Sequence, residues 1–168
     1  MKFARVLAGF LSLLAIAPAA AQDYPSKPIT LVVGFAAGGP LHNYSRVFAN
    51  VLKDKLGQPV VVVNRTGAGT IVAAESVVNA KPDGYTVLFG TNTSLINYGY
   101  LYKKRSYDPR KDLLPVHGLL NQPPTLVIRG DAPYKTLPEM VAYAKANPGK
   151  INFASTGHGS TPHLLIEL

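Results

Sequence analysis

The sequence contains no cysteine in its 168 residues. This absence excludes a disulfide framework, a zinc site built on thiolates and a cysteine nucleophile. It also leaves no thiol for a lipid anchor near the N-terminus. Any binding or catalytic chemistry must therefore rest on oxygen and nitrogen groups.

Nucleotide-binding and hydrolase motifs are also missing. The first glycine-rich segment, LVVGFAAGGPLHNYS, places its glycines at 34, 38 and 39, which does not give the G-x-G-x-x-G fingerprint. It also lacks the Lys-Ser/Thr pair of a P-loop. No G-x-S-x-G nucleophile elbow occurs anywhere in the chain.

No hydrophobic run is long enough to cross a membrane, since a span needs about 20 apolar residues. The N-terminus instead has the three parts of a secretory signal peptide. Lys2 and Arg5 supply positive charge, Val6 to Ala17 is apolar, and Ala19–Ala21 offers the small residues of a cleavage site. We predict a signal peptide over residues 1–21, cleavage after Ala21 and a periplasmic location.

Acidic residues are few. The chain has 17 Lys and Arg against 9 Asp and Glu, a formal charge of +8. Such a balance attracts anions of any kind. The basic residues are scattered, however, and Lys103–Arg105, the one tight cluster, has the character of a solvated loop. Together with export, this disfavours nucleic acid as a partner.

The first half of the mature chain alternates between strand and helix patterns. Ile29–Phe35, Val60–Val63 and Thr86–Gly90 are apolar runs typical of strands buried on both faces of a sheet. Between them, residues 41–56 and 71–78 have helical patterns. The first carries an apolar stripe formed by Leu41, Tyr44, Val47, Phe48, Val51, Leu52 and Leu56. This order predicts an α/β fold with a parallel sheet flanked by helices.

In the second half of the chain, short apolar runs predict three strands, at Val116–Leu120, Leu126–Ile128 and Ile151–Ala154. A capping box at Thr136 and Glu139 opens one helix, and Ser160 or Thr161 caps a second, Leu164–Leu168. This last helix has only about two turns and no C-cap. The pattern fits the front part of a longer protein, or a short chain whose last helix docks on the sheet; we expect the former.

Small polar residues or glycine follow the predicted strands at four places. These are residues 34–39, the Gly67–Thr70 loop, Thr91–Ser94 and Ser155–Ser160. In an open α/β sheet such loops meet outside the carboxyl ends of the strands, where ligands bind. Hydroxyl, amide and N–H donors without fixed charge suit a small polar anion. Gly38–Gly39 is equally compatible with a simple tight turn.

Catalysis is a weaker reading of the same residues. Ser155 and Ser160 have His158 and His163 nearby, but neighbours in sequence do not form a triad. His158 and His163 are five residues apart with no adjacent carboxylate, which is poor spacing for a metal pair. We therefore expect no catalytic residue, no metal and no cofactor.

Several long segments resemble one family. YPSKPITLVVGFAAGGP, LGQPVVVVNRTGAG, KPDGYTVLFGTNTS, YDPRKDLLPV and KTLPEMVAYAKANPGKINFASTGHGSTPH are similar, in this order, to receptors of tripartite tricarboxylate transporters, the Bug family. The resemblance runs from about Tyr24 to the end. It implies a periplasmic-binding-protein-like, two-domain Venus-flytrap fold, nearly twice as long as this chain, with a carboxylate in the interdomain cleft. The second domain would then be truncated.

The resemblance also implies boundaries and ligand-binding residues. Residues 22–120 would form the first domain and 121–168 the start of the second. The implied ligand-binding residues are Phe35, Ala36, Ala37, Gly38, Gly39, Thr91, Asn92, Thr93, Ser94, Ser155, Thr156, Gly157, His158, Gly159 and Ser160. To these we add His42, because the family commonly has Thr-Asp after Gly-Gly-Pro where this chain has Leu41-His42; a solvent-facing His42 is the alternative. The family also commonly has proline at the position of Gly34.

We therefore expect a non-catalytic, monomeric periplasmic receptor that captures a small organic carboxylate for the membrane permease subunits of a transporter. A receptor that signals to a membrane sensor kinase is an alternative that the sequence does not separate from transport. A secreted hydrolase is the less favoured third reading. Because half of the implied cleft is absent, we expect the 168-residue chain to bind weakly.

Overall fold

The computed structural model describes residues 23–168. The predicted signal peptide and its cleavage site lie outside these residues. The elements, in chain order, are β1 Ile29–Val33, α1 Pro40–Leu56, β2 Val60–Asn64, α2 Ile71–Val78, β3 Thr86–Phe89, α3 Tyr98–Leu101, α4 Leu137–Ala146 and α5 Thr161–Glu167. A short 3₁₀ turn, Ala68–Thr70, precedes α2, and a π-helical turn, Thr93–Asn97, precedes α3.

The three strands form one parallel sheet in the order β2-β1-β3. This confirms the predicted parallel sheet flanked by helices. β1 is central and pairs on both edges, which explains why its residues are the most deeply buried of the three strands. Among the described residues, no helix is both long and apolar enough to cross a membrane.

Helix α1 covers one face of the sheet. Leu31, Val33 and Phe89 form a buried cluster with Ala49 of the helix. Burying a side chain of this size contributes about 1.5–3 kcal/mol. The predicted bounds of α1 are confirmed, including its end at Gly57, which has the left-handed φ of 67°.

The predicted inner stripe of α1 is wrong at three positions. Tyr44, Val47 and Val51 are about half or more exposed, whereas the small residues Ser45 and Ala49 are buried. Small residues let the helix backbone approach the sheet closely. The face of α1 that touches the sheet is therefore centred on Ser45 and Ala49, each of which follows a large residue of the predicted stripe. The displaced residues line an open groove with Phe48, Phe89, Leu119 and Leu120.

A second cluster lies at α2 and the segment that follows β3. Ile71 and Ala74 of α2 pack with Tyr98 and Tyr107, whose rings stack with centroids 4.6 Å apart. The hydroxyl of Tyr107 donates to the carbonyl of Ser94 at 2.7 Å. This buried bond holds the π-helical turn after β3.

The three short strands predicted in the second half are wrong. Residues 116–120, 126–128 and 151–154 pair with no other strand in the described chain. Val116 and Val127 are more than four-fifths exposed. Apolar, β-branched sequence favours extended backbone, but a strand also needs a neighbour to accept its hydrogen bonds, and here none lies beside these segments. The helices predicted in this half are confirmed, with the capping box of Thr136 and Glu139 and the Ser160 cap.

We expect Gly57→Ala to lower the free energy of unfolding by about 1 kcal/mol, because alanine disfavours the left-handed conformation that ends α1. A β-carbon at this position would have no atom within 4 Å, so the effect is conformational and not steric. Urea unfolding measures it. Gly118→Ala is the control, since Gly118 has open space and no positive φ; an equal loss in both variants would contradict the prediction.

We expect Tyr107→Phe to lower the free energy of unfolding by about 1–3 kcal/mol at pH 7, because the buried Ser94 carbonyl loses its hydrogen-bond donor. Burial raises the pKa of Tyr107 above its ordinary value, with smaller contributions from Tyr98 and Glu75. The stability supplied by the neutral phenol is therefore complete below pH 10 and is lost as the pH rises above it.

The difference in free energy of unfolding between wild type and Tyr107→Phe should accordingly stay constant from pH 7 to about pH 9 and shrink between about pH 10 and pH 11 in urea titrations. Tyr100→Phe is the matched control, since Tyr100 is 74% exposed. A penalty for Tyr107→Phe that stays constant over this range would show that the phenol does not ionise unfavourably in the folded state.

Candidate functional site

The three strands end at the same level of the sheet. Val33 lies in register with Asn64 on one side and with Phe89 on the other. The loops that begin at Gly34, Arg65 and Gly90 therefore start at one edge. This is the carboxyl edge at which open α/β sheets bind ligands.

A cavity of about 300 Å³ opens at this edge. Its walls come from the loop after β1, the loop after β2 and one residue of the second half of the chain. The lining residues are Gly34, Phe35, Ala36, Thr66, Gly67, Ala68, Gly69, Thr70 and Thr156. None of them has an ionisable side chain, so backbone groups and hydroxyls supply the polar surface.

The loop after β2 makes an unusual left-handed turn. Gly67, Ala68, Gly69 and Thr70 all have positive φ, with values of 136°, 43°, 62° and 87°. Glycine adopts such angles freely, but Ala68 and Thr70 do not. A β-branched residue at positive φ is a genuine outlier, and a residue held in this region costs about 1–3 kcal/mol.

Thr70 joins the three loops at the base of the cavity. A β-carbon at Gly34 would lie 2.5 Å from the β-carbon of Thr70, so only glycine fits there. On its other side, the Thr70 hydroxyl lies 3.1 Å from the hydroxyl of Thr91, in the loop after β3. Thr70 is 4% exposed.

Asn64, the last residue of β2, fixes the loop after β1. Its side-chain amide donates to the carbonyl of Phe35 at 2.7 Å. The backbone N–H of the following Arg65 donates to Val33 at 2.8 Å. The start of the glycine-rich loop is thus held by its neighbour on the sheet.

The loop of residues 155–160 lies against the same edge. Asn97 donates from its side chain to the carbonyl of Gly159 at 2.9 Å, and the Tyr102 hydroxyl donates to the carbonyl of His158 at 3.4 Å. A β-carbon at Gly157 would be 3.6 Å from the α-carbon of Gly69. The two loops therefore approach backbone to backbone, and Thr156 reaches the cavity.

The structure brings part of the predicted ligand-binding set to the cavity. Phe35, Ala36 and Thr156 line it, and Thr91 is attached through Thr70. Residues 37–39 continue away from it toward α1, where Gly39 is the N-cap. His42 lies in the first turn of α1, and its buried Nδ1 has no hydrogen-bond partner among the described residues.

Several other members of the set make hydrogen bonds or contacts within and between the loops. Ser94 is fully buried and its hydroxyl donates to the carbonyl of Thr91 at 3.2 Å. Thr93 is buried beside Gly69, while Asn92 is exposed. The Ser155 hydroxyl accepts from the N–H of Gly157 at 3.4 Å. These bonds give the loops their shape.

No nucleophile and base are paired in this segment. The Ser160 hydroxyl accepts from the backbone N–H of His163 at 3.3 Å and so caps α5. The His158 ring packs edge-on against the His163 ring, with centroids 4.7 Å apart. Within residues 23–168, no group of three or more metal-ligating side chains could hold a metal ion.

Sequence reasoning located residues 34–39 and the Gly67–Thr70 loop at this edge of the sheet, but it left Gly34 and residues 66–70 out of the ligand-binding set, although they form much of the cavity wall. Gly67 and Gly69, two residues apart directly after a strand, are the signal that could have added this loop to the set. The positive φ of Ala68 and Thr70 is not visible in sequence, because neither residue type favours it.

Comparison with known proteins places this chain in a family. Residues 44–168 match the family described as the tripartite tricarboxylate transporter family receptor, TctC. A UPF0065 protein of Bordetella pertussis is 40% identical over 165 residues, covering 98% of this chain and 50% of the relative. The chain spans about half the length of the curated relatives it matches.

Solved structures share the fold. Rpa4515 of R. palustris, solved with adipate, has a TM-score of 0.81 at 32% identity, covering 86% of this chain and 48% of that protein. The periplasmic binding protein BugD has a TM-score of 0.71 at 35% identity, covering 86% and 49%. MatC of Rhodopseudomonas palustris, with bound malate, has a TM-score of 0.70 at 32% identity, covering 82% and 47%.

These matches confirm the predicted resemblance and the periplasmic-binding-protein-like fold. The matched family is one of receptors, as the sequence led us to expect, and not one of enzymes. The chain belongs to the tripartite tricarboxylate transporter receptor family, the family of the Bug proteins.

Proposed function

We propose that this protein is a periplasmic receptor that holds the carboxylate of a small organic acid in the cavity at the carboxyl edge of its sheet. The observation that carries the proposal is the cavity wall, which consists of uncharged residues and backbone from two glycine-rich loops together with Thr156. Two structural relatives that share this fold were solved with adipate and with malate.

The chemistry of the wall suits a carboxylate. Backbone N–H groups and threonine hydroxyls donate hydrogen bonds, and bonds to a charged acceptor contribute about 1.5–3 kcal/mol each. No acidic side chain lines the cavity to repel an anion. The volume of about 300 Å³ lies at the small end of the range of ligand pockets, as expected for a small acid.

The predicted ligand-binding set extends this site. The first turn of α1 has no acidic residue and no side-chain cap, so the N-terminal end of the helix dipole favours an anion beside Gly38, Gly39 and His42. We propose that residues 22–120 belong to one lobe, that residues 121–168 begin a second, and that Ser155–Ser160 meets the ligand from the second lobe.

Delivery to the permease subunits of a tripartite transporter, as a monomer, is the partnership we propose from the family description. Signalling to a membrane sensor kinase would use the same binding site. Deletion of the permease genes separates the two roles: uptake of the ligand should stop, whereas a transcriptional response that survives would favour sensing.

We expect adipate and malate to shift the amide resonances of residues 34–36 and 66–70 in ¹⁵N-labelled protein. Two or three charge-assisted hydrogen bonds support a dissociation constant of about 1 mM. NMR titration to tens of millimolar measures binding of this strength. Adipamide, which has the same carbon skeleton without the negative charges, is the control ligand and should leave these resonances unchanged.

The proposal fails if none of the carboxylates perturbs either loop, or if adipamide binds as well as adipate. Shifts confined to residues distant from the cavity, such as those of α4, would place the anion elsewhere and would also contradict it.

A further inference from the structure

Thr70 is a β-branched residue of the cavity wall with a strained backbone conformation. The role that threonine usually has at the start of a helix does not explain this strain. It stands at the N-cap of α2, a position at which threonine ordinarily accepts a hydrogen bond from the first turn of the helix. Here its side chain makes no capping bond. Its φ of 87° is one that glycine adopts without strain.

The side chain is directed instead to Thr91. The two hydroxyl oxygens are 3.1 Å apart, and either can be the donor. Each hydroxyl carries one hydrogen, and only one of the two hydrogens can lie between the oxygens. Neither hydroxyl makes another hydrogen bond within the described residues, so the second hydrogen is available to a ligand.

The residue opposite Thr70 leaves room for its side chain. Gly34 leaves the space that the Thr70 methyl and β-carbon occupy, since a β-carbon there would lie 2.5–2.8 Å from three atoms of Thr70. Thr70 is 96% removed from solvent by these contacts, yet it lies in the wall of the cavity. A donor in such a desolvated place binds an anion more strongly than one exposed to water.

We propose that the Thr70–Thr91 hydroxyl pair is a carboxylate-binding site, in which the free hydroxyl hydrogen donates to one carboxylate oxygen. This inference rests on the proposed function. It adds a specific hydrogen-bond donor to the carboxylate, a hydroxyl that is uncharged and does not titrate. The strained backbone of Thr70 is maintained because it presents the hydroxyl at the junction of the three loops.

The test compares variants at position 70 by the same NMR titration with adipate. Thr70→Val keeps the branched shape and removes the hydroxyl, and should weaken binding about tenfold, as expected for loss of one hydrogen bond to a charged group. Thr70→Ser retains the hydroxyl and should bind within about threefold of wild type. Only Thr70 of the pair lines the cavity, so in the proposed arrangement Thr91 donates to Thr70 and Thr70 donates to the carboxylate. Thr91→Val removes the donor that holds the Thr70 hydroxyl in this orientation, and should also weaken binding.

Thr30→Val is the matched control. Thr30 lies in β1 at the opposite end of the sheet, in register with Val61 and Thr86, and should bind as wild type does. Amide spectra without ligand report whether each variant is folded; if Thr70→Val is not, Thr70→Ser and Thr91→Val decide the matter.

Wild-type affinity in Thr70→Val or in a folded Thr91→Val would overturn the inference while leaving the proposed receptor function intact. Equal weakening in Thr70→Ser and Thr70→Val would also overturn it, because the methyl group and not the hydroxyl would then matter. Failure of the wild-type protein to bind any carboxylate would overturn both proposals together.

Discussion

The in-register pairing of β1 with both of its neighbours is the constraint on which the site depends. Because Val33, Asn64 and Phe89 lie side by side, three loops leave the sheet at one height. The apolar contacts of Leu31 and Val33 with α1 keep β1 in this register, since a shift by one residue would turn them to the other face. The hydrogen bond from Asn64 to Phe35 and the one between Thr70 and Thr91 both depend on the distances that this register sets.

The first half of the fold could be predicted because its signals are local. Continuous apolar runs marked β1, β2 and β3, and Gly57 marked the end of α1. Prediction from local sequence was wrong at residues 116–120, 126–128 and 151–154, because a strand requires a partner strand and no property of the segment itself identifies one. It also failed on the inner face of α1, where close packing selected Ser45 and Ala49 instead of larger neighbours.

The sequence predicted where on the sheet the site lies, but not the conformation and contacts of its individual residues. Four polar loops at strand ends pointed to one edge of the sheet, and Phe35, Ala36 and Thr156 do meet there. The left-handed turn of residues 67–70 could not be read, since its two non-glycine members adopt angles against their own preference. A residue such as Ser94 matched the family motif, yet its hydroxyl is directed back to the loop from which it comes. Resemblance located the segment, whereas the hydrogen bonds of each residue define what its side chain does.

The contact between Gly34 and Thr70 ties the residue type at one position to the backbone path of another loop. A β-carbon at position 34 would lie 2.5 Å from the β-carbon of Thr70 and 2.8 Å from its α-carbon. Because the second of these atoms belongs to the backbone, a smaller residue at position 70 would not make room for a side chain at position 34. In the course of evolution, position 34 can therefore leave glycine only together with a change in the backbone path of the loop after β2.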